Sequence, residues 1–261
     1  MRPTPVVPVL LAVLLIGVAA PVASAEVVPV DPGAALSAGR SIVGSGQNLP
    51  SINGTVIYSI GPGPAAQINT YYSSGTAARD QRQVAAAALT WTKKWVRDTC
   101  GSTKPANVRV CRAAAVFDID DTLITWFPVL STNDPAFSFN STRSNDAIAG
   151  CVPPVIDATK RLYTSLQKLG VTPMLITGRP ETQRADTVRC LESLGISGWN
   201  TLVMRSAGDE RPASVYKSQA RKGLEKKGWK IGPSTGDQIS DMAMGHLGHG
   251  FLIPNPMYFI P

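Results

Sequence analysis

The run Ala113 to Phe117 is wholly apolar and stops at Asp118-Ile119-Asp120-Asp121-Thr122, which places three carboxylates within four residues. A short apolar run ending in a polar loop predicts a strand buried on both faces, as in a parallel sheet. Met174 to Ile176 and Thr201 to Met204 read as further strands, and Trp229 to Thr235 as one that leads into Asp237. Between these runs the apolar residues recur at threes and fours. Leu162, Leu166 and Leu169 predict a helix that opens at Pro153-Pro154 and stops at Gly170. Pro180 to Leu194 predicts another, with Pro at its first position and Gly195 as its stop, and Ser214 to Lys227 a third. Upstream, Val84, Ala88, Trp91 and Trp95 mark the core-facing stripe of a helix over residues 76–99. Alternating strand and helix imply an α/β fold, a Rossmann-like parallel sheet flanked by helices.

Two segments break this pattern. Residues 26–66 are rich in Gly, Pro, Ser and Asn, with Gly61-Pro62-Gly63-Pro64 as a breaker, and residues 26–69 are expected to form an irregular N-terminal arm. Residues 123–152 carry Trp126, Phe127, Phe137 and Phe139 without clear periodicity. A loop of that length inside a domain predicts a cap over a substrate site; a surface excursion packed by its own aromatics is the alternative.

Composition adds compartment and partners. The chain has 261 residues, 44% hydrophobic and 16% charged, which suits one globular core. Met1 and Arg2, the apolar stretch Val6 to Ala20, and Ala23-Ser24-Ala25 predict a signal peptide over 1–25, with Glu26 as the mature N-terminus of a secreted protein. The prolines at positions 3, 5 and 8 and the short apolar core argue against a stable membrane span. Export makes Cys100, Cys111, Cys151 and Cys190 candidates for two disulfides in any of three pairings. Cys100 with Cys111 closes a short loop and is preferred, leaving Cys151 with Cys190. Zinc is disfavoured, since there is no Cys-x-x-Cys pair and His246 and His249 are remote. The net charge of +7 favours anionic partners, but there is no basic tract interleaved with aromatics, so nucleic acid is not the expected partner.

The candidate chemistry gathers at the predicted strand ends. Asp118, Asp120 and Asp121 repel one another unless a cation joins them, and an oxygen-only set suits a hard ion such as Mg²⁺. Thr177-Gly178-Arg179 follows a predicted strand and opens a predicted helix, so its hydroxyl and backbone N–H groups suit phosphate; a simple helix cap is the alternative. Lys217 starts a basic helix. Asp237 and Asp241 follow another strand and either complete a cation's shell or cap the next helix.

Together these residues resemble the haloacid dehalogenase (HAD) superfamily of phosphatases, and within it the exported acid phosphatases of class B and class C type, subfamily III B. The resemblance rests on Phe117 to Thr122, Ile176 to Arg179, Tyr216-Lys217-Ser218, Gly236-Asp237 to Asp241, and the ending Ile253 to Tyr258. It covers roughly residues 70–261 and implies an HAD-like phosphatase domain with a small cap insertion at about 123–152 and an N-terminal helical extension. By resemblance Asp118 is the nucleophile and Asp120 the general acid and base, with a raised pKa expected for Asp120. Thr177, the Gly178 amide and Lys217 would bind the phosphoryl group. Asp118, the backbone carbonyl of Asp120, and Asp237 would hold Mg²⁺, with Asp241 as a ligand or a support to one. The implied substrate is a small phosphomonoester, nucleoside monophosphates among the candidates. A non-catalytic binding or storage protein on the same fold is the alternative, and the presence of Asp118 disfavours it.

Some features depart from that pattern or lie outside it. Asp121 stands where these phosphatases commonly carry Glu, and residues 123–150 match no cap pattern. His246 and His249 read as turn or core residues, Arg179 and Arg221 as substrate-fixing or solvent-facing. Asn53-Gly54-Thr55 and Asn140-Ser141-Thr142 fit the glycosylation pattern.

Overall fold

β2 (Ala113–Phe117) is the middle strand of a five-stranded parallel sheet, buried along its whole length. The computed structural model describes Tyr58–Ser59 and residues 65–260; the expected signal peptide and nearly all of the expected arm lie outside them. β1 is the two-residue strand Tyr58–Ser59. Where an irregular arm was expected to reach residue 69, the chain is already helical from Ala65, in α1 (Ala65–Ser73). α2 (Thr76–Cys100) and α3 (Pro105–Val110) then lead into β2.

After β2, residues 123–152 hold two short helices, α4 (Phe127–Leu130) and α5 (Ser141–Ala149). Regular alternation follows as α6 (Asp157–Leu169), β3 (Thr172–Pro180), a 3-10 turn (Glu181–Gln183), α7 (Arg184–Ser193), β4 (Thr201–Arg205), α8 (Ala213–Lys226) and β5 (Lys230–Gly236). A second 3-10 turn (Ile239–Asp241), β6 (His249–Leu252) and β7 (Tyr258–Phe259) complete the chain, β7 pairing antiparallel with β1. The large sheet runs β4-β3-β2-β5-β6 with every pair parallel.

The period of two along β2 divides the core. Ala113, Ala115 and Phe117 face a cluster with Val84, Ala88 and Val96 of α2, Leu162 and Leu166 of α6, and Leu191 of α7. Ala114 and Val116 face the other side, against Met174, Ile176, and Tyr216 and Leu224 of α8. Trp91 and Trp95 pack against the first cluster, as their spacing predicts. Residues 123–152 build their own apolar cluster, in which Trp126, Val129, Leu130, Phe137 and Ile148 meet Ile68 and Met257.

Three elements differ from expectation, the first being α6, which begins at Asp157 and not at Pro153-Pro154. The helix expected from Pro180 begins only at Arg184, because Pro180 is extended (φ −69°, ψ 149°) and continues the ladder opposite Arg205. A proline's fixed φ fits a helix start and a strand equally, so the sequence did not separate them. β6 was not anticipated, since four residues opening on His249-Gly250 give little strand signal. The His249 ring stacks on Trp91, with centroids 5.4 Å apart.

The disulfides are Cys100–Cys111, which ties the end of α2 to the entry of β2, and Cys151–Cys190, which ties the 123–152 segment to α7. The first is separated by 11 residues in sequence and the second by 39.

Candidate active site

The carboxyl ends of β2, β3 and β5 deliver Asp118, Gly178 and Asp237 to one cavity of about 280 Å³, and α8 adds Lys217. Open α/β sheets place ligands at this edge. Lys217 Nζ lies 3.0 Å from Asp118 Oδ1 and is also paired with Asp241 Oδ1. Burial alone would lower the lysine's pKa, but Asp118 and Asp241 hold it above its ordinary value.

Asp118, Asp237 and Asp241 are buried and present oxygens that all lie within 4.8 Å of one another. Burial pushes Asp118 well up, Lys217 pulls it down, and Asp241, Asp237 and Asp120 push it up again. Asp237 is pushed to about 8 by burial and by Asp241 and Asp121, against the hydrogen bonds it accepts from Asn255 and Gln238. Those amides lie 2.7 and 2.6 Å from Asp237 Oδ2 and fix its orientation.

Asp120 lines the same cavity, but its carboxylate turns from the cluster to Arg179 and Trp126. Arg179 Nη2 and Nε donate to Oδ1 and Oδ2 at 2.6 and 3.0 Å, and the Trp126 indole donates at 2.5 Å. Burial raises the Asp120 pKa; the Arg179 charge and these bonds outweigh it, and the net displacement is downward. The expectation of a raised pKa is therefore corrected in this arrangement. Arg179 is buried in the site, its Nη1 held by Thr187 at 3.1 Å.

Thr177 and Gly178 lie within β3 and are not at a helix start, which corrects the expected positive helix end. Gly178 lines the cavity. Thr177 is fully buried, and its hydroxyl accepts the Arg179 N–H at 3.2 Å. Asp241 caps the turn after β5 and also belongs to the buried carboxylate cluster. Its Oδ2 accepts the Gln238 N–H at 2.8 Å, while its Oδ1 pairs with Lys217. Arg221 is fully buried and serves neither role expected of it. Its guanidinium donates to the carbonyls of Asp241, Ala243 and Gly245, pinning the loop behind the carboxylates.

The remaining cavity wall is largely apolar, with Trp126, Leu130, Phe139, Ile148, Met257 and Tyr258 contributing. Phe137 is fully buried in its own cluster and does not line it.

Residues 64–261 match the family described as HAD superfamily, subfamily IIIB (Acid phosphatase). The chain belongs to this family. It is similar to "Acid phosphatase 1" of Solanum lycopersicum, 32% identical over 148 residues, which are 56% of this chain and 58% of that protein. It is also similar to "Vegetative storage protein 1" of Arabidopsis thaliana, 31% identical over 153 residues, which are 56% of this chain and 55% of that one. The chain thus spans little more than half the length of these relatives. Among solved structures, the class C acid phosphatase of Bacillus anthracis shares the fold, with a TM-score of 0.56 at 15% identity over 75% of this chain and 85% of that one.

Within this subfamily IIIB site several contacts escaped the sequence reading. Asp121 adopts φ 48° and accepts bonds from the Trp126 N–H at 2.9 Å and the Tyr258 hydroxyl at 2.7 Å, so one carboxylate joins the β2 loop, the start of the 123–152 segment and the C-terminal strand. Burial raises it to about 7 despite those donors. Gln238 and Asn255 were visible only as neighbours of an acid and as part of a terminal motif. Their convergence on Asp237 needs β5 and the terminal segment to meet in space.

Proposed function

We propose that this chain is an exported, Mg²⁺-dependent acid phosphatase that hydrolyses small phosphomonoesters through an aspartyl-phosphate. The observation that carries the reading is the Asp118–Lys217 pair at 3.0 Å, in a cavity shared with Asp120, Gly178 and Asp237. Asp118 attacks phosphorus as the ester P–O bond breaks, and Asp120 gives its proton to the leaving oxygen. Asp120 then takes a proton from the water that cleaves the acyl phosphate, releasing inorganic phosphate and regenerating Asp118. Lys217 and the Gly178 amide hold the phosphoryl oxygens, while Thr177 supports this wall through its bond from the Arg179 N–H.

The donor set fits a divalent cation. Three buried carboxylates converge with one lysine between them, and Asp118 Oδ1 is buried without an aligned hydrogen-bond donor. Asp118, Asp237 and Asp241 would hold the ion through oxygens alone, together with the Asp120 carbonyl that the family resemblance implies, a set that suits Mg²⁺. When bound, it supplies charge neutralisation at the phosphoryl group.

The 123–152 segment serves as the cap, its Trp126 and Phe139 forming the wall that meets the leaving group. Residues 1–25 and the paired cysteines support export. A storage role would need no nucleophile, and the retained Asp118, Asp120 and Lys217 favour the enzyme. Hydrolysis of phenyl phosphate by purified protein, with Mg²⁺ or chelator, for wild type and Asp118→Asn, tests this. Turnover that survives the substitution or the chelator would overturn the mechanism, and an inactive wild type would overturn the function.

A further inference from the structure

The cavity reaches past the phosphoryl end to Arg205, the last residue of β4. Its register partner is Pro180 on β3, two residues beyond Gly178, so Arg205 stands one strand over from the amide that faces phosphate. Its side chain is 18% exposed, and its guanidinium lies over the Tyr216 ring at 4.6 Å from the centroid. Nη1 donates to the carbonyls of Asp209 and Arg211, at 3.0 and 2.8 Å. Nε and Nη2 have no hydrogen-bond partner among the described residues.

Charge balance singles this residue out. Among the described residues that line the cavity the cations are Arg179, Arg205 and Lys217. Arg179 is matched by Asp120, and Lys217 by Asp118 and Asp241. Arg205 has only Asp209, at 3.7 Å, and that carboxylate is held by Arg211 through Nε at 2.8 Å and Nη2 at 2.5 Å. Two guanidinium groups on one carboxylate leave one positive charge at the cavity. Pinning the 206–212 loop uses Nη1 alone, whereas the Nε and Nη2 edge is the fork that grips an oxyanion with two parallel bonds. Stacking on Tyr216 holds the plane of that fork.

We propose that Arg205 is a specificity-determining residue that binds a second oxyanion, carboxylate or phosphate, on the leaving group. Its substrates are small phosphomonoesters with a second negative charge across a short apolar or ring spacer. This rests on the phosphatase reading. The 280 Å³ cavity, whose lining includes the apolar side chains Trp126, Leu130 and Phe139 beside Lys217 and Arg205, suits such a spacer.

The test compares kcat/KM for para-carboxyphenyl phosphate, para-phenylene bisphosphate and the neutral para-carboxamidophenyl phosphate, in wild type, Arg205→Gln and Arg205→Lys. Wild type is expected to favour the two anionic leaving groups over the carboxamide by about tenfold or more, mainly through KM. Arg205→Gln is expected to erase the preference while leaving carboxamide hydrolysis within about threefold, and Arg205→Lys to retain part of it. The relative rates of the carboxylate and bisphosphate arms identify which oxyanion the fork prefers. Equal losses on all three substrates would assign Arg205 to loop pinning and overturn the proposal, as would a wild type without preference. A wild type that hydrolyses none of the three overturns the phosphatase reading, and this proposal with it.

Discussion

Arg179 grips Asp120 through two nitrogens, at 2.6 and 3.0 Å, and places a buried cation between the acid of the β2 loop and the end of β3. The same carboxylate is the one the proposed mechanism needs protonated. Under that mechanism Arg179 would govern when Asp120 can act as an acid, and a phosphate that draws on the guanidinium would release it.

The first prediction follows from the sign of that contact. Arg179 holds Asp120 below the ordinary carboxylate range against the upward push of burial. In Arg179→Met the largest opposition to burial is removed and only the Trp126 bond and the Lys217 charge remain against it, so Asp120 keeps its proton to higher pH. The limb of the kcat profile that reports loss of the acid should move to higher pH, even as KM rises through loss of a cation. A profile of kcat between about pH 3 and pH 9 that keeps its limbs in place would refute this role for Arg179.

Stability should depend on pH and metal together. Asp237 is raised to about 8 and Asp121 to about 7, both above their unfolded values near ~4. Between those limits the folded state binds more protons than the unfolded one, so metal-free stability is greatest at acidic pH and falls as pH rises through the folded values. Asp120 acts with the opposite sign, and only at pH near or below the ordinary carboxylate value. A divalent cation replaces the lost protons, so Mg²⁺ should raise the melting temperature more at about pH 8 than at about pH 5. A Tm that is flat with pH in chelator would contradict this.

Gly236 has no room for a side chain. A Cβ there would lie 2.2 Å from Asp241 Oδ2 and 2.3 Å from its Cγ. Gly236→Ala should displace Asp241 from both Lys217 and the Gln238 amide, costing on the order of 1–3 kcal/mol by overpacking. Calorimetry of Mg²⁺ binding should show affinity reduced at least tenfold; unchanged affinity would show that Asp241 lies outside the metal's ligand set.

The two disulfides should differ in what their removal does. Closing 11 and 39 residues corresponds to about 3 and about 4 kcal/mol in the chain-entropy estimate. Replacing Cys151 and Cys190 together by Ser should cost more stability and also speed proteolysis within 123–152, since that bridge joins the segment to α7. Replacing Cys100 and Cys111 should lower Tm and leave the segment's cleavage rate unchanged. Equal cleavage rates for the two double variants would remove the special role given to Cys151–Cys190.

The sequence by itself determined the elements whose signal is local. The short apolar run at 113–117 and the stripe on residues 76–99 each encode their own burial. The order of the polar clusters then told which strand ends share an edge, because a parallel sheet collects its carboxyl ends. Tertiary structure alone decided which way each side chain at that edge turns. Asp118 and Asp120 are two residues apart in sequence, yet one joins Asp237 and Asp241 and the other goes to Arg179. Pro180 satisfies helix and strand equally until Arg205 pairs beside it, and Arg221 reads as a substrate-fixing or solvent-facing cation until the carbonyls of Asp241, Ala243 and Gly245 accept its guanidinium. These outcomes depend on contacts between residues tens of positions apart, where burial and charge are set by neighbours that no local pattern names.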